Sequence, residues 1–260
     1  MMIPGPDCAL NVEVLGAGEP VTLFAHGITG STDELMPLAS PMHGTRVLMD
    51  FRGHGASESP HEVAGYDHPA MRRDVEHVAD RFGASRAVGL SMGAGAILNL
   101  LSDNPQRCER VVLVTPASID GPNKAAAGLF LEMADRLENK GLDDVLAWSL
   151  EGSAALIARR PQWGALIRER VSRMNTAGVP RTLRAYVHGR PPVTDASTLQ
   201  RVTAPILILA NEGDPIHDDA VARRLATLLP NARLKTWPEP LAMFDDTDAL
   251  SNLIARFLDD

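Results

Sequence analysis

The sequence predicts an α/β fold: a mainly parallel central sheet flanked by helices, with a helical cap inserted late in the chain. Short β-branched runs alternate with helix-period patterns from end to end, as strands joined by helical crossovers do. Runs such as Val111–Val114 and Ile206–Leu209 are apolar at every position, which suits strands buried on both faces. Between Asp120 and Thr194 strand signals vanish and only helical periodicity remains.

In chain order the expected strands are Val12–Leu15, Val21–Ala25, Arg46–Met49, Ala87–Leu90, Val111–Val114, Ile206–Ala210 and Leu234–Trp237. Pro69–Phe82 reads as a helix, because a proline suits the first turn and Met71, Val75, Val78 and Phe82 recur at helical spacing. Further helices are expected from Met92, over Ala220–Leu229 and over Thr247–Leu258, where Leu250, Leu253, Ile254 and Phe257 make an apolar stripe. Leu129–Leu137, Leu142–Leu150 and Trp163–Met174 are amphipathic pieces of the cap, and Gly189-Arg190-Pro191-Pro192 marks the return to the sheet. The expected organisation is thus a core of residues 1–119 and 195–260 with a cap of residues 120–194. No internal repeat or low-complexity tract interrupts it.

With 260 residues, 45% hydrophobic and 22% charged, the chain has the composition of a globular protein able to bury a large core, which excludes disordered, collagen-like and disulfide-scaffold classes. A net charge of -8 leaves no basic footprint for a nucleic-acid backbone. Two cysteines, Cys8 and Cys108, form neither a disulfide framework nor a zinc cluster. The opening residues show no basic stretch followed by an apolar run, and no apolar run approaches the roughly 18 residues of a membrane span. A cytoplasmic setting without membrane partners is therefore expected, and the sequence admits a homodimer.

Three loops carry chemistry. Gly89-Leu90-Ser91-Met92-Gly93 lies between a buried strand pattern and a small-residue helix start, the setting of a G-x-S-x-G nucleophile elbow. Its glycines are needed because side chains there would collide with the neighbouring strand or helix. His26-Gly27-Ile28-Thr29-Gly30 follows the strand Val21–Ala25, and the amides of Ile28 and Met92 are candidates for an oxyanion hole, typically worth about 3 kcal/mol of barrier each. His26 and Gly27 are candidate substrate contacts in the same loop. Asp50-Phe51-Arg52-Gly53-His54-Gly55-Ala56-Ser57 reads as scaffold, with Asp50, Arg52 and His54 tying a turn together.

In this order and spacing the three motifs resemble the α/β-hydrolase fold family, specifically the capped branch of small esterases, lactonases, thioesterases and cofactor-free haloperoxidases. The resemblance spans nearly the whole chain, since Ile206–Asp214 also looks like the family's strand that ends in the triad acid. It implies Ser91 as nucleophile, Asp214 as acid with Asp120 a second choice, no cofactor and no metal. The histidine clusters that a metal site needs are also missing.

One part of the family pattern is absent. The family's histidine follows the last strand, and here Pro240 or Ala242 stands at that place. Three explanations compete. In the first, His217, three residues beyond Asp214, is the base, oriented by Asp214 or by Asp218 or Asp219; its alternative role is to cap the following helix. Alternatively the pocket supports lyase, cyclase or rearrangement chemistry, or the chain is a ligand-binding pseudoenzyme or a variant with its histidine replaced. His43, His61, His68 and His77 read as exposed. In the cap, Trp148 and His188 are candidate substrate contacts, and Trp163, Phe130, Leu131 and Met133 are candidates for an apolar lining. The leading expectation is hydrolysis of an ester, thioester or lactone of a small hydrophobic or neutral molecule.

Overall fold

The computed structural model describes residues 1–121 and 123–260. Among them an eight-stranded sheet runs in the order β1-β2-β4-β3-β5-β6-β7-β8. Its strands are β1 (Met2–Pro4), β2 (Ala9–Leu15), β3 (Val21–Ala25), β4 (Thr45–Met49), β5 (Arg86–Leu90), β6 (Arg110–Val114), β7 (Ile206–Asn211) and β8 (Ala232–Trp237). Only the β1–β2 and β2–β4 pairings are antiparallel. All seven expected strands are present, β3 with the expected bounds and the other six extended by one to three residues. β1 was not expected from its sequence: three residues ending in proline give no alternation to read.

The period-2 geometry of a strand divides each apolar run between two cores. Ile206, Ile208 and Ala210 of β7 join Val111 and Leu113 of β6 on one face, beneath α2 (His68–Phe82), α3 (Met92–Asp103) and α9 (Asp219–Leu228). Leu207, Leu209, Val112 and Val114 face the other way, against α1 (Thr32–Ala39) and α10 (Thr247–Asp259). The α2 helix starts where Asp67 accepts a hydrogen bond from the Ala70 amide and stops at Gly83, whose φ of 70° suits glycine. The α1 helix escaped sequence reading because it is short and contains Pro37.

Between β6 and β7 lie α4 (Lys124–Asn139), α5 (Leu142–Gly152), α6 (Ala154–Arg159), α7 (Gln162–Ser172) and α8 (Val179–His188). They share a third apolar cluster, which includes Phe130, Leu137, Val145, Val171 and Leu183. It packs on Ile28 and Ile216, which follow the C-terminal ends of β3 and β7. α6 and α8 add to the three expected helical pieces. None of the described helices is long and apolar enough to cross a membrane.

Beneath the sheet's C-terminal edge the loop 50–57 is a polar scaffold. Asp50 accepts hydrogen bonds from the Thr32 amide (2.7 Å), the Ala56 amide (3.0 Å) and the Asn11 side chain (2.9 Å). Arg52 grips Asp74 with two parallel hydrogen bonds of 2.8 and 2.6 Å and also donates to the Gly65 carbonyl. Both members of the Arg52–Asp74 pair are buried, and the other carboxylate on Arg52, Asp7 at 2.8 Å, is exposed, so removing Asp74 leaves the guanidinium poorly compensated in a poor solvent. Asp74→Ala is expected to lower the unfolding free energy by about 3–5 kcal/mol in urea denaturation. Replacing both partners by apolar residues, Arg52→Met with Asp74→Leu, should restore much of it.

Of the histidines expected to be exposed, His43 and His61 are exposed and His77 is half-buried, its Nε2 donating to the Pro4 carbonyl at 2.8 Å. His68 departs from the expectation: it is buried against Tyr186 and Gly95 at the start of α2. Burial pushes its ring down to about 4, as it does His26, while His54 falls to about 3. An unfolded histidine titrates near about 6.5, so between roughly pH 6.5 and 4 the unfolded chain takes up protons that the folded chain refuses. Stability is therefore lost as the pH falls through this window and regained above it. At pH 5 unfolding should take up close to three protons on account of these rings, a slope of about 4 kcal/mol per pH unit in urea unfolding free energies. A flat profile from pH 6.5 to 5 would contradict the assignment.

Candidate active site

Ser91 occupies the turn from β5 into α3 with φ 48° and ψ −103°, a conformation that costs an L-residue on the order of 1–3 kcal/mol. Its surroundings enforce it. A Cβ on Gly89 would lie 2.7 Å from the Ala94 nitrogen, and one on Gly93 would strike the Ala25 and His26 carbonyls. The Ser91 amide donates to the Val114 carbonyl (2.9 Å) and the Gly93 amide to the His26 carbonyl (3.1 Å). The serine is thus pinned to β6 on one side and to the loop after β3 on the other.

Asp214 and His217 come from the loop after β7, which turns at Gly213 (φ 69°). Asp214 Oδ1 accepts hydrogen bonds from the amides of Ile216 (2.9 Å) and His217 (3.0 Å). Its Oδ2 is 3.1 Å from His217 Nδ1, and His217 Nε2 is 3.0 Å from Ser91 Oγ. A proton on Nδ1, donated to the carboxylate, leaves the Nε2 lone pair to accept the serine hydroxyl. Burial opposes ionisation of Asp214, but the hydrogen bonds from the His217 ring and the two amides outweigh it and hold the carboxyl below its ordinary range.

Three residues are therefore enough for the acid to orient the imidazole. Asp218 and Asp219 are engaged elsewhere, Asp218 accepting from the Ala220 amide and Asp219 from Arg223. Asp120, the other candidate acid, forms a surface pair with both terminal nitrogens of Arg224 at 2.7 and 2.5 Å. Where the family's histidine would stand, the Pro240 carbonyl accepts from Arg160 of the segment after α6, and Ala242 opens a short helical turn.

The loop 26–30 approaches Ser91 closely: a Cβ on Gly27 would lie 3.5 Å from the serine Cβ. Thr29 takes a φ of 64° and the Gly30 amide donates to the Gly27 carbonyl, closing a tight turn. Among the described residues the Ile28 amide has no acceptor. Met92 is the first residue of α3, so its amide lacks an intrahelical acceptor and lies at the positive end of the helix. The side chain of His26, a candidate substrate contact, presents no surface to solvent. Its ring is fully buried against Phe51 and His54, with Nδ1 donating to the Gly27 carbonyl (2.7 Å) and Nε2 accepting from the Phe51 amide (3.1 Å). Its part is to shape the loop.

Neither cap candidate bonds to the Ser91–His217–Asp214 group. Trp148 is half-buried in α5 with the Arg136 guanidinium 5.3 Å over its ring, and His188 is exposed at the end of α8. Phe130 is buried and meets Tyr186 edge-on at 5.6 Å, whereas Trp163 stands edge-on to Phe244 and Leu131 and Met133 are half-buried. Sequence reading passed over Asn123. An asparagine ahead of a helical start signals an N-cap, but no spacing reveals its second bond, from Nδ2 to the Ile216 carbonyl at 2.6 Å. Among the described residues no three histidine, cysteine or carboxylate side chains are grouped to hold a metal ion.

Comparison with known proteins agrees with this architecture. A family model described as alpha/beta hydrolase fold matches residues 20–239. The chain is 27% identical over 242 residues to a pimeloyl-[acyl-carrier protein] methyl ester esterase of Nitrosomonas europaea, covering 88% of this chain and 91% of that one. It is 35% identical over 152 residues to the dihydrolipoyllysine-residue acetyltransferase component of an acetoin cleaving system of Cupriavidus necator, covering 56% of this chain but only 38% of that relative's length. The enol-lactonase from Burkholderia xenovorans LB400 superposes with a TM-score of 0.83 at 20% identity over 100% of both chains. From the strand-to-helix turn at Ser91, the sheet order and the family match together, the chain belongs to the alpha/beta hydrolase fold family.

Proposed function

We propose that the protein is a serine hydrolase that cleaves an ester, thioester or lactone of a small hydrophobic molecule, needing no cofactor. The observation that carries this reading is the continuous hydrogen-bonded line from Ser91 Oγ through His217 to Asp214. In this reaction Ser91 Oγ attacks the carbonyl carbon while its proton passes to His217 Nε2. The amides of Ile28 and Met92 receive the developing oxyanion, and the imidazolium, steadied by Asp214, returns the proton to the departing alcohol or thiol. Water then enters by the same route in reverse, frees the acid and regenerates the serine.

The want of an imidazole after β8 was the ground for non-hydrolytic chemistry; His217 supplies one at the serine, which supports hydrolysis. Residues 120–194 serve as the cap in this proposal. Their apolar cluster reaches Ile28 and Ile216, one on each side of the serine, which favours an apolar group next to the scissile bond. The named methyl ester esterase relative supports the same bond class. Both cysteines are free, in keeping with a cytoplasmic enzyme.

A fluorophosphonate probe, followed by intact mass, tests the chemistry. The unmodified protein should gain one adduct, Ser91→Ala none, and His217→Ala should react at least about a thousandfold more slowly. Asp120→Asn should label at the unmodified rate. A folded protein that resists the probe, or a His217→Ala variant that labels normally, would refute the proposed mechanism.

A further inference from the structure

Placing acid and base on one short loop puts an unusual demand on the backbone between them. The imidazole has to meet Asp214 Oδ2 and Ser91 Oγ at once, so its Cα can tolerate little rotation. Its direction is set by the peptide plane joining Ile216 to His217. That plane is held at both edges. Its N–H, belonging to His217, donates to Asp214 Oδ1 at 3.0 Å, and its carbonyl, belonging to Ile216, accepts from Asn123 Nδ2 at 2.6 Å.

The other end of the Asn123 amide is also engaged. Its Oδ1 accepts from the Ala126 amide at 3.2 Å, capping α4. With the oxygen committed to the helix and the nitrogen to the loop, the amide has one orientation, and it joins the first helix after β6 to the peptide that carries the base. The donation to the Ile216 carbonyl also polarises that peptide, which strengthens its N–H as a donor to Asp214. Ile216 packs against the same group of helices through its side chain, so the loop is held from that side twice.

We propose that Asn123 is a positioning residue for His217: it fixes the 216–217 peptide plane and thereby the alignment of the imidazole between Asp214 and Ser91. This rests on the proposed serine mechanism and adds a residue to it. Asn123 itself touches neither substrate nor the reacting atoms; it acts through the loop.

Two substitutions separate this role from helix capping. Asn123→Ser and Asn123→Asp both keep an oxygen able to cap α4. The serine side chain is too short to reach the Ile216 carbonyl, and the aspartate sets an acceptor against an acceptor. Both variants should retain the unmodified thermal midpoint yet react with the fluorophosphonate at least about tenfold more slowly, as expected for a misplaced catalytic group. The low-field proton resonance of His217 Nδ1, identified by its loss in His217→Ala, should shift or broaden in both. Unmodified labelling rates together with an unchanged resonance in these variants would overturn the proposal for Asn123 alone. If the unmodified protein fails to label, or labels independently of His217, the mechanism and the role of Asn123 fall together.

Discussion

A serine held at φ 48° between a buried strand and a helix requires bare backbone on both sides of it. Gly89 and Gly93 meet that condition, and the close approach they permit brings the end of β3 against the start of α3. From there the neighbouring geometry follows. The Gly93 amide reaches the His26 carbonyl, the loop after β3 folds back at Thr29, and the Ile28 and Met92 amides are left without acceptors in the described structure. β5 has β3 and β6 as neighbours, and β7 lies just beyond β6, so the loop carrying Asp214 and His217 opens within reach of the serine.

The same strained turn depends on a polar floor. Asp50 binds the amide at the start of α1, the loop amide of Ala56 and the Asn11 side chain, while the buried His26 joins the Gly27 carbonyl to the Phe51 amide. Above, Arg170 and Arg173 pair with Glu34 and Asp33, and Arg160 with Asp245. These contacts are partly exposed and individually modest. Their placement nevertheless ties the helices between β6 and β7 to both the first turn of α1 and the segment after β8.

The central strands β6 and β7 were legible because an apolar run split between two cores leaves no polar position to confuse the reading, and the outer strands β2 and β8 because apolar and polar residues alternate along them. The elements that escaped lack such a signal. β1 is three residues long, α1 contains Pro37, and α8 carries Arg181 and Arg184 among its apolar residues. At the site, Ser91 and its glycines were readable because the steric need is local. Whether Asp214 could orient His217 was not, because the answer depends on a peptide plane held partly by Asn123 from another element. Trp148 and His26 show a related gap. Sequence identifies an aromatic ring or an imidazole, but the Arg136 guanidinium over one and the Phe51 amide bonded to the other are products of tertiary packing.

Asp214 and His217 sit three residues apart in the chain, and their mutual contact is closed through the loop's own amides. When such a loop shifts, acid and base move as one rigid hinge plate: their alignment to each other survives while the distance to the serine changes. A histidine arriving from beyond β8 would couple three separate segments and could lose either partner independently. Here the segment after β8 has no ionisable ring to aim, and Pro240 instead serves the helices between β6 and β7 by accepting from Arg160.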